Sequence, residues 1–130
     1  MRTKGCRSTS ALLAAILATM TGCASLRSAA GEPIASIDQI AGKWAGTITL
    51  GHNSVQEPFY VTIMPDGRLV AGWGIDTSWG TVTLRNGQAT FEMRPPIAEG
   101  SIRLYVDGGK RTLVMEGVLP SFLAQVTPEH

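Results

Sequence analysis

The chain contains eight short segments of β-forming residues, and turn-forming residues separate them at intervals of about ten residues. The segments are 44–50, 58–64, 69–75, 77–84, 88–93, 101–106, 112–119 and 122–126. Among the connections, Asn86-Gly87 is the strongest short hairpin signal, and Asp107-Gly108 marks a second hairpin. Short strands at regular spacing indicate an antiparallel β-sandwich or β-barrel.

Within each segment apolar and polar residues alternate, which predicts one dry face and one wet face of the sheet. The residues predicted to point inward are Trp44, Gly46, Ile48, Leu50, Phe59, Val61, Ile63, Leu69, Ala71, Trp73, Val82, Leu84, Ala89, Phe91, Met93, Ile102, Leu104, Val106, Leu113, Met115, Leu119, Phe122, Ala124 and Val126. Short connections favour an up-and-down meander, and closing it removes both exposed edges. The sequence therefore predicts an all-β fold, a small eight-stranded antiparallel up-and-down barrel. One short helical turn precedes strand one, because Ser36 and Gln39 fit a capping box.

The first residues have the layout of a secretory signal. Arg2, Lys4 and Arg7 form a positively charged start, and an apolar run from 11 to 20 follows. This run is too short to span a bilayer, which takes about 20 residues. It ends in Met20-Thr21-Gly22-Cys23, a stretch that resembles the lipobox of bacterial lipoproteins, with Met20 where that family prefers leucine.

The lipobox resemblance implies a diacylglyceryl group on the Cys23 sulfur and cleavage before Cys23. We expect 1–22 to be a lipoprotein signal peptide, 23–35 a tether and 36–130 the β-barrel domain. Because Ala24 rather than aspartate follows the cysteine, the resemblance implies a Gram-negative envelope protein, lipid-anchored at the periplasmic face of the outer membrane. The alternative is a soluble secreted protein that is cut near the stretch 24–30, with Cys23 removed or incidental.

The charge and cysteine content of the chain limit the classes of partner that it can bind. The whole chain has a net charge of +1, and the leader holds three of its basic residues, so the remainder has a net charge of −2. The charges are interleaved without a basic stripe, which argues against nucleic acid. Cys6 lies in the leader and Cys23 is the lipid anchor, so no thiol remains for a disulfide. The membrane, reached through lipidated Cys23, is the first expected partner.

Gly42-Lys43-Trp44 stands at the start of the first strand, after the helical turn. This motif resembles the Gly-x-Trp signature of lipocalins and their calycin relatives, in which the tryptophan closes one end of an eight-stranded barrel. The resemblance implies structural roles for Gly42 and Trp44. The longer strands and C-terminal helix of lipocalins have no counterpart in this sequence.

Catalytic and metal-binding patterns are missing from the sequence. Its histidines, His52 and His130, stand far apart, and no His-x-x-x-His, Glu-x-x-His or Gly-x-Ser-x-Gly motif occurs. Turn chemistry accounts for acids such as Asp66 and Asp107. We therefore predict a non-enzymatic protein without catalytic residues, metal site or cofactor.

The remaining distinctive residues surround the turn at 75–77. Trp73 phases inward and Trp79 outward, and Asp76, Thr77 and Ser78 lie between them. We expect these five residues to bind a small apolar or amphipathic ligand at the barrel mouth.

The alternative function is an envelope protein–protein interaction or inhibitor module with a filled barrel, docking through an outer face that carries Tyr60 and Tyr105. The small inward residues Gly46, Ala71, Ala89 and Ala124 mark where a cavity would open. A void there would favour a ligand, and a solid core would favour docking.

Overall fold

The computed structural model describes residues 31–51, 55–95, 97–119 and 121–130, and the side chain of residue 119 is outside that description. The predicted leader, the Cys23 anchor and His52 also lie outside the described residues. Eight strands follow a single 3₁₀ turn at Ile37–Gln39. The strands are β1 Gly42–Leu50, β2 Gln56–Ile63, β3 Arg68–Trp73, β4 Asp76–Arg85, β5 Gln88–Arg94, β6 Ala98–Asp107, β7 Lys110–Leu119 and β8 Ser121–Pro128.

The strands form one closed barrel in sequence order, β1 to β8, and every neighbouring pair is antiparallel. The predicted all-β, eight-stranded up-and-down barrel is confirmed. Its closing pair is β1 with β8, in which Trp44 lies opposite Pro128. Closure gives both chain-terminal strands a hydrogen-bonding neighbour on each side, so neither is left as an edge.

Local turn chemistry explains the tight connections. Asn86 and Gly87 have φ angles of 54° and 76°, the two positive values that a type I′ hairpin requires. At the β2–β3 turn, Asp66 Oδ1 accepts a hydrogen bond from the Arg68 backbone N–H at 3.1 Å. That bond, with the neighbouring Arg68 guanidinium, lowers the pKa of the Asp66 carboxyl.

The alternating strands give the barrel two different ends. The connections β1–β2, β3–β4, β5–β6 and β7–β8 lie at one end, which we call the loop end. The other three connections, the 3₁₀ turn and the C-terminus lie at the opposite end, which we call the turn end. At the turn end, Gln39 Oε1 accepts a hydrogen bond from the Ser36 N–H at 3.2 Å, as in a capping box.

The core follows the predicted alternation closely. The buried apolar residues are Ile34, Ile40, Trp44, Ile48, Phe59, Val61, Ile63, Leu69, Ala71, Val82, Ala89, Phe91, Met93, Ala98, Ile102, Leu104, Leu113, Met115, Phe122, Ala124 and Val126. Leu50, Trp73 and Leu84 are partly buried against this cluster. Val106 was predicted to point inward but is 44% exposed, because it lies next to the β6–β7 turn, at the end of its strand.

Three inward-phased glycines allow neighbouring strands to approach closely. A β-carbon on Gly46 would lie 1.9 Å from the Gln125 carbonyl oxygen, and Gly80 and Gly100 face the carbonyls of Glu92 and Glu116 at similar distances. Only glycine fits such positions, where the strands of a narrow barrel bend. A register shift between Glu99 and Gly100 marks one such bend.

The folded unit includes residues that precede the 3₁₀ turn. The Glu32 N–H donates to the Leu104 carbonyl at 2.6 Å, and the Ile34 N–H donates to the Gly87 carbonyl at 3.0 Å. The Ile34 side chain is buried in the core. We call Glu32–Ile34 the strap; it lies within the range predicted as a tether and packs on the turn end.

Candidate functional site

Trp44 lies at the turn end, where the Gly-x-Trp resemblance predicts the closing tryptophan. Its side chain is 2% exposed, and its Nε1–H donates to the Ile40 carbonyl at 2.9 Å. Gly42 has a φ of +129°, which side-chain-bearing residues rarely adopt, and a β-carbon there would contact nothing within 4 Å. Glycine is therefore needed for its backbone freedom rather than for space.

The partners of Trp44 include residues that sequence analysis did not identify. The Arg111 guanidinium lies 5.2 Å from the centroid of the Trp44 ring, a cation–π distance. Arg111 Nη2 also donates to the Gln39 carbonyl, which ties β7 to the 3₁₀ turn. Ile34 and Ile40 complete the closure. No motif marks these three residues, because their roles depend on strands that are distant in sequence.

Aromatic pairs fill the interior toward the loop end. The Phe59 and Trp73 rings lie 6.1 Å apart, and the Phe91 and Phe122 rings lie 5.8 Å apart. Phe91 and Phe122 flank two glycines in one row across the sheet, since Gly100 pairs with Phe91 and with Gly117, and Gly117 pairs with Phe122. A β-carbon on Gly117 would lie 2.3 Å from the Phe122 ring. The ring thus occupies the space that the glycine leaves.

The small residues that marked possible cavities do not open one at Gly46, where the β8 backbone occupies the space. Ala71, Ala89 and Ala124 are buried within the core cluster. No buried side-chain nitrogen or oxygen among the described residues lacks a hydrogen-bond partner. Because its side chains are almost completely buried against one another, the described interior is a packed apolar core.

The five residues predicted to bind a ligand lie on two sides of the barrel wall. Trp73 is partly buried against the core, and the fully buried Ser78 donates from its hydroxyl to the Pro95 carbonyl at 2.5 Å. Asp76 is exposed and pairs with Trp73 across β3 and β4. Thr77 and Trp79 face outward, and Trp79 is 58% exposed. The structure brings Trp73 and Asp76 together and places Trp79 on the outer wall.

The loop end carries a ring of exposed aliphatic side chains. Val55 precedes β2, Ile75 lies in the β3–β4 turn, Ile97 lies in the β5–β6 connection and Val118 is near the end of β7. Their exposed fractions are 66%, 101%, 69% and 65%. We call these four residues the apolar rim. Neighbouring members are separated by two strands, or about 10 Å around the barrel.

A groove of about 420 Å³ opens on the outer wall beside Val118 and crosses β5, β6 and β7. Its polar lining comprises Thr90, Glu92, Glu99, Ser101 and Glu116. Glu92 and Glu99 are direct cross-strand partners, an arrangement of like charges that destabilises a sheet. We call this feature the acidic groove.

Charge is distributed unevenly between the two ends of the described barrel. The ionisable residues in the loop-end half are Glu57, Asp76, Glu92, Glu99, Glu116 and Arg94. Those in the turn-end half are Glu32, Asp38, Asp66, Asp107, Glu129, Lys43, Arg68, Arg85, Lys110, Arg111 and His130. Arg103 lies between the two halves, 3.8 Å from Glu116. The loop end is thus acidic, whereas opposite charges nearly balance at the turn end.

The described part of the chain shows neither a membrane-spanning helix nor a cluster of metal ligands. None of its helices is long and apolar enough to cross a bilayer, and it holds no group of three or more His, Cys, Asp or Glu side chains placed to bind a metal ion. Comparisons with protein-family models, curated proteins and solved structures find no match for this chain.

Proposed function

We propose that this chain is a lipid-anchored, non-enzymatic protein of the bacterial outer membrane whose loop end docks another protein of the envelope. The observation that carries this proposal is the apolar rim. Three exposed aliphatic side chains lie in connections at the loop end, and Val118 lies beside the fourth connection. Their concentration at one end points to an interaction surface, whereas exposed residues scattered over the barrel would need no explanation.

The packed interior favours a docking function and disfavours the binding of a ligand inside the barrel. Ile34, Ile40 and Trp44 close the turn end, and the two aromatic pairs fill the interior toward the loop end. Barrels of eight strands either fill with side chains or hold one small ligand. A filled barrel leaves its outer surface and its connections as the places where partners bind.

The chain enters the barrel at the end opposite the apolar rim. Lipidated Cys23 is separated from Gly31 by about eight residues, which reach at most about 29 Å when fully extended. The chain enters the barrel through the strap at the turn end. The loop end is the opposite end of the barrel, so attachment through the strap does not cover the apolar rim.

We also propose that the barrel is a reduced member of the lipocalin and calycin group. The Gly-x-Trp residues support this: Gly42 enters β1 with the φ that the motif's glycine permits, and Trp44 is buried at the barrel end. Short strands and a filled interior would then reflect loss of the ligand cup.

A small-ligand function remains the second candidate because of Trp73. Its ring is partly buried beside Phe59, with the Asp76 carboxylate on the neighbouring strand. A fatty acid or apolar dye bound there would quench Trp73 fluorescence. The quenching would disappear in Trp73→Ala but remain in the control variant Thr47→Ala, whose substitution is on the outer face. We expect no such saturable quenching from a filled barrel.

Site-specific photo-crosslinking in the cells that produce the protein tests the docking function. A photoreactive residue at position 75 or 97, on the rim, should give a discrete protein adduct. The same residue at position 88 or 107, exposed at the turn end, should not. Ile75→Asp, in a chain that carries the photoreactive residue at 97, should reduce the adduct. Absence of any rim adduct, or equal labelling at all four positions, would contradict docking.

A further inference from the structure

We infer that the partner presents a cationic and apolar segment, with aliphatic or aromatic side chains on the apolar rim and Lys or Arg side chains in the acidic groove. This inference rests on the proposed docking function and names the chemistry of the docked surface. Two features carry it: continuity between rim and groove, and the sign of the charge around them.

The rim and the groove form one continuous surface. Val118 belongs to both, since it is a member of the rim and lines the groove. Ile97 directly precedes β6, whose Glu99 lines the groove two residues later. A segment that covers Ile97 and Val118 therefore lies within side-chain reach of Glu99 and Glu116. Lys and Arg have the long side chains needed for such a contact.

The charges select a cationic partner. All charged residues that line the groove are acids, and Glu92 opposes Glu99 without a basic residue between them. Arg103 lies near the oxygen of Glu116 at 3.8 Å, but both side chains are about half exposed, so this pair is weak. A cation between Glu92 and Glu99 would relieve their repulsion and add electrostatic complementarity.

The same charges disfavour two other occupants. An anionic phospholipid surface would be repelled by the acidic loop end, although the rim alone would suit a bilayer interface. A second copy of this chain, docked end to end, would place two acidic surfaces against each other. A basic protein segment satisfies both the rim and the groove.

The test uses the full chain in its own cells, with the photoreactive residue at position 97. The test variant is Glu92→Gln with Glu99→Gln, and the matched control is Glu32→Gln with Glu129→Gln at the turn end. We expect the test variant to lower the adduct yield about fivefold, because the partner's cations lose two carboxylates of the acidic groove. The control should change the yield less than about twofold. Raising NaCl from about 50 to about 500 mM in isolated envelopes should also lower the yield, since salt screens exposed charges.

Mass spectrometry of the adduct identifies the occupant. Support requires a crosslinked partner peptide with Lys or Arg beside apolar residues, together with the charge effect. A yield that the test variant leaves unchanged or raises would overturn the cationic partner while the docking function stands. An adduct of two copies of this chain, or a lipid adduct, would overturn it in favour of self-association or membrane binding. Absence of any adduct would remove docking and this inference together. Equal urea midpoints of both variants would show that the charge effect is not a loss of folding.

Discussion

Single residues at the turn end join parts of the chain that are far apart in sequence. Trp44 of β1 donates a hydrogen bond to Ile40, lies opposite Pro128 of β8 and has Arg111 of β7 over its ring. One side chain thus connects the end of the 3₁₀ turn, the closing strand pair and the last hairpin. Its removal should affect the whole barrel, not one hairpin.

Trp44→Ala should therefore lower the free energy of unfolding by about 3–5 kcal/mol, the range for large core truncations. Urea denaturation followed by circular dichroism measures this loss. Trp79→Ala is the matched control, because Trp79 is mostly exposed and should lose less than about 1 kcal/mol. A loss below about 1 kcal/mol for Trp44→Ala would show that Trp44 is not the structural residue that the motif implies.

Gly46 and Gly72 differ in the space around them, although both are strand glycines. A β-carbon on Gly46 would overlap the Gln125 carbonyl oxygen at 1.9 Å, whereas one on Gly72 would meet the Asp76 carbonyl oxygen at an ordinary 3.6 Å. Gly46→Ala should cost about 1–3 kcal/mol through forced backbone shifts. Gly72→Ala should be neutral or gain up to about 1 kcal/mol. Thermal unfolding of the pair measures the difference, and equal stabilities would contradict the close approach of β1 and β8.

At the scale of elements, the strap covers part of the turn end of the barrel. It adds two backbone hydrogen bonds, to Leu104 and Gly87, and one buried side chain, Ile34. The buried methyl groups cover the core where β4, β5 and β6 meet the turn end. The stability of the barrel therefore extends to residues that precede its first strand.

Ile34→Ala should lower the free energy of unfolding by about 2–5 kcal/mol, as buried aliphatic truncations do. Val106→Ala removes a comparable aliphatic group from a partly exposed position at the same end, and its loss should be below about 1 kcal/mol. Chemical denaturation of both variants gives the comparison. Equal, small losses would mean that the strap does not contribute to the core.

At the scale of the whole molecule, the barrel is a filled body with two unlike ends. The strap and Trp44 occupy the turn end, and the apolar rim and acidic groove occupy the loop end. This polarity suits the proposed docking function, because the strap enters the barrel at one end and the apolar rim lies at the other.

Cys23→Ala should abolish lipid labelling and release the protein from the membrane fraction, because a diacylglyceryl cysteine supplies the two acyl chains that stable anchoring needs. Metabolic labelling with a fatty-acid analogue and membrane fractionation measure both effects. Cys6→Ala, in the expected leader, is the control and should change neither. Unchanged labelling and fractionation of Cys23→Ala would refute the anchor.

The strands and their facing could be read from the sequence because both depend on local chemistry. The alternation of apolar and polar residues predicted which side of each strand is buried, from Ile48 in β1 to Ala124 in β8. Asn86-Gly87 set a hairpin through its positive φ angles. Val106 is exposed although the alternation predicts that it is buried, because it lies at the end of β6, where the barrel ends.

The candidate site could be read from the sequence only in part. The sequence pattern predicted that Trp79 faces outward, and the structure agrees. Nothing in the sequence indicated that Val55, Ile75, Ile97 and Val118 lie at the same end of the barrel. These residues lie at the same end because the chain reverses at every connection of the antiparallel meander. Likewise, Arg111 of β7 reaches the Trp44 ring, and Ile34 reaches the β4–β5 turn, only in the folded barrel.

The sequence alone determined the strands and turns of this protein. Alternation along a strand, the dihedral angles of a turn and the backbone freedom of Gly42 at the start of β1 all depend on neighbouring residues. The tertiary structure alone decided whether the barrel is hollow and where its surface is apolar. Packing decided the first, since the Phe122 ring occupies the space beside Gly117 and the β8 backbone occupies the space beside Gly46. Closure decided the second, since contacts between residues distant in sequence depend on which strands become neighbours in space.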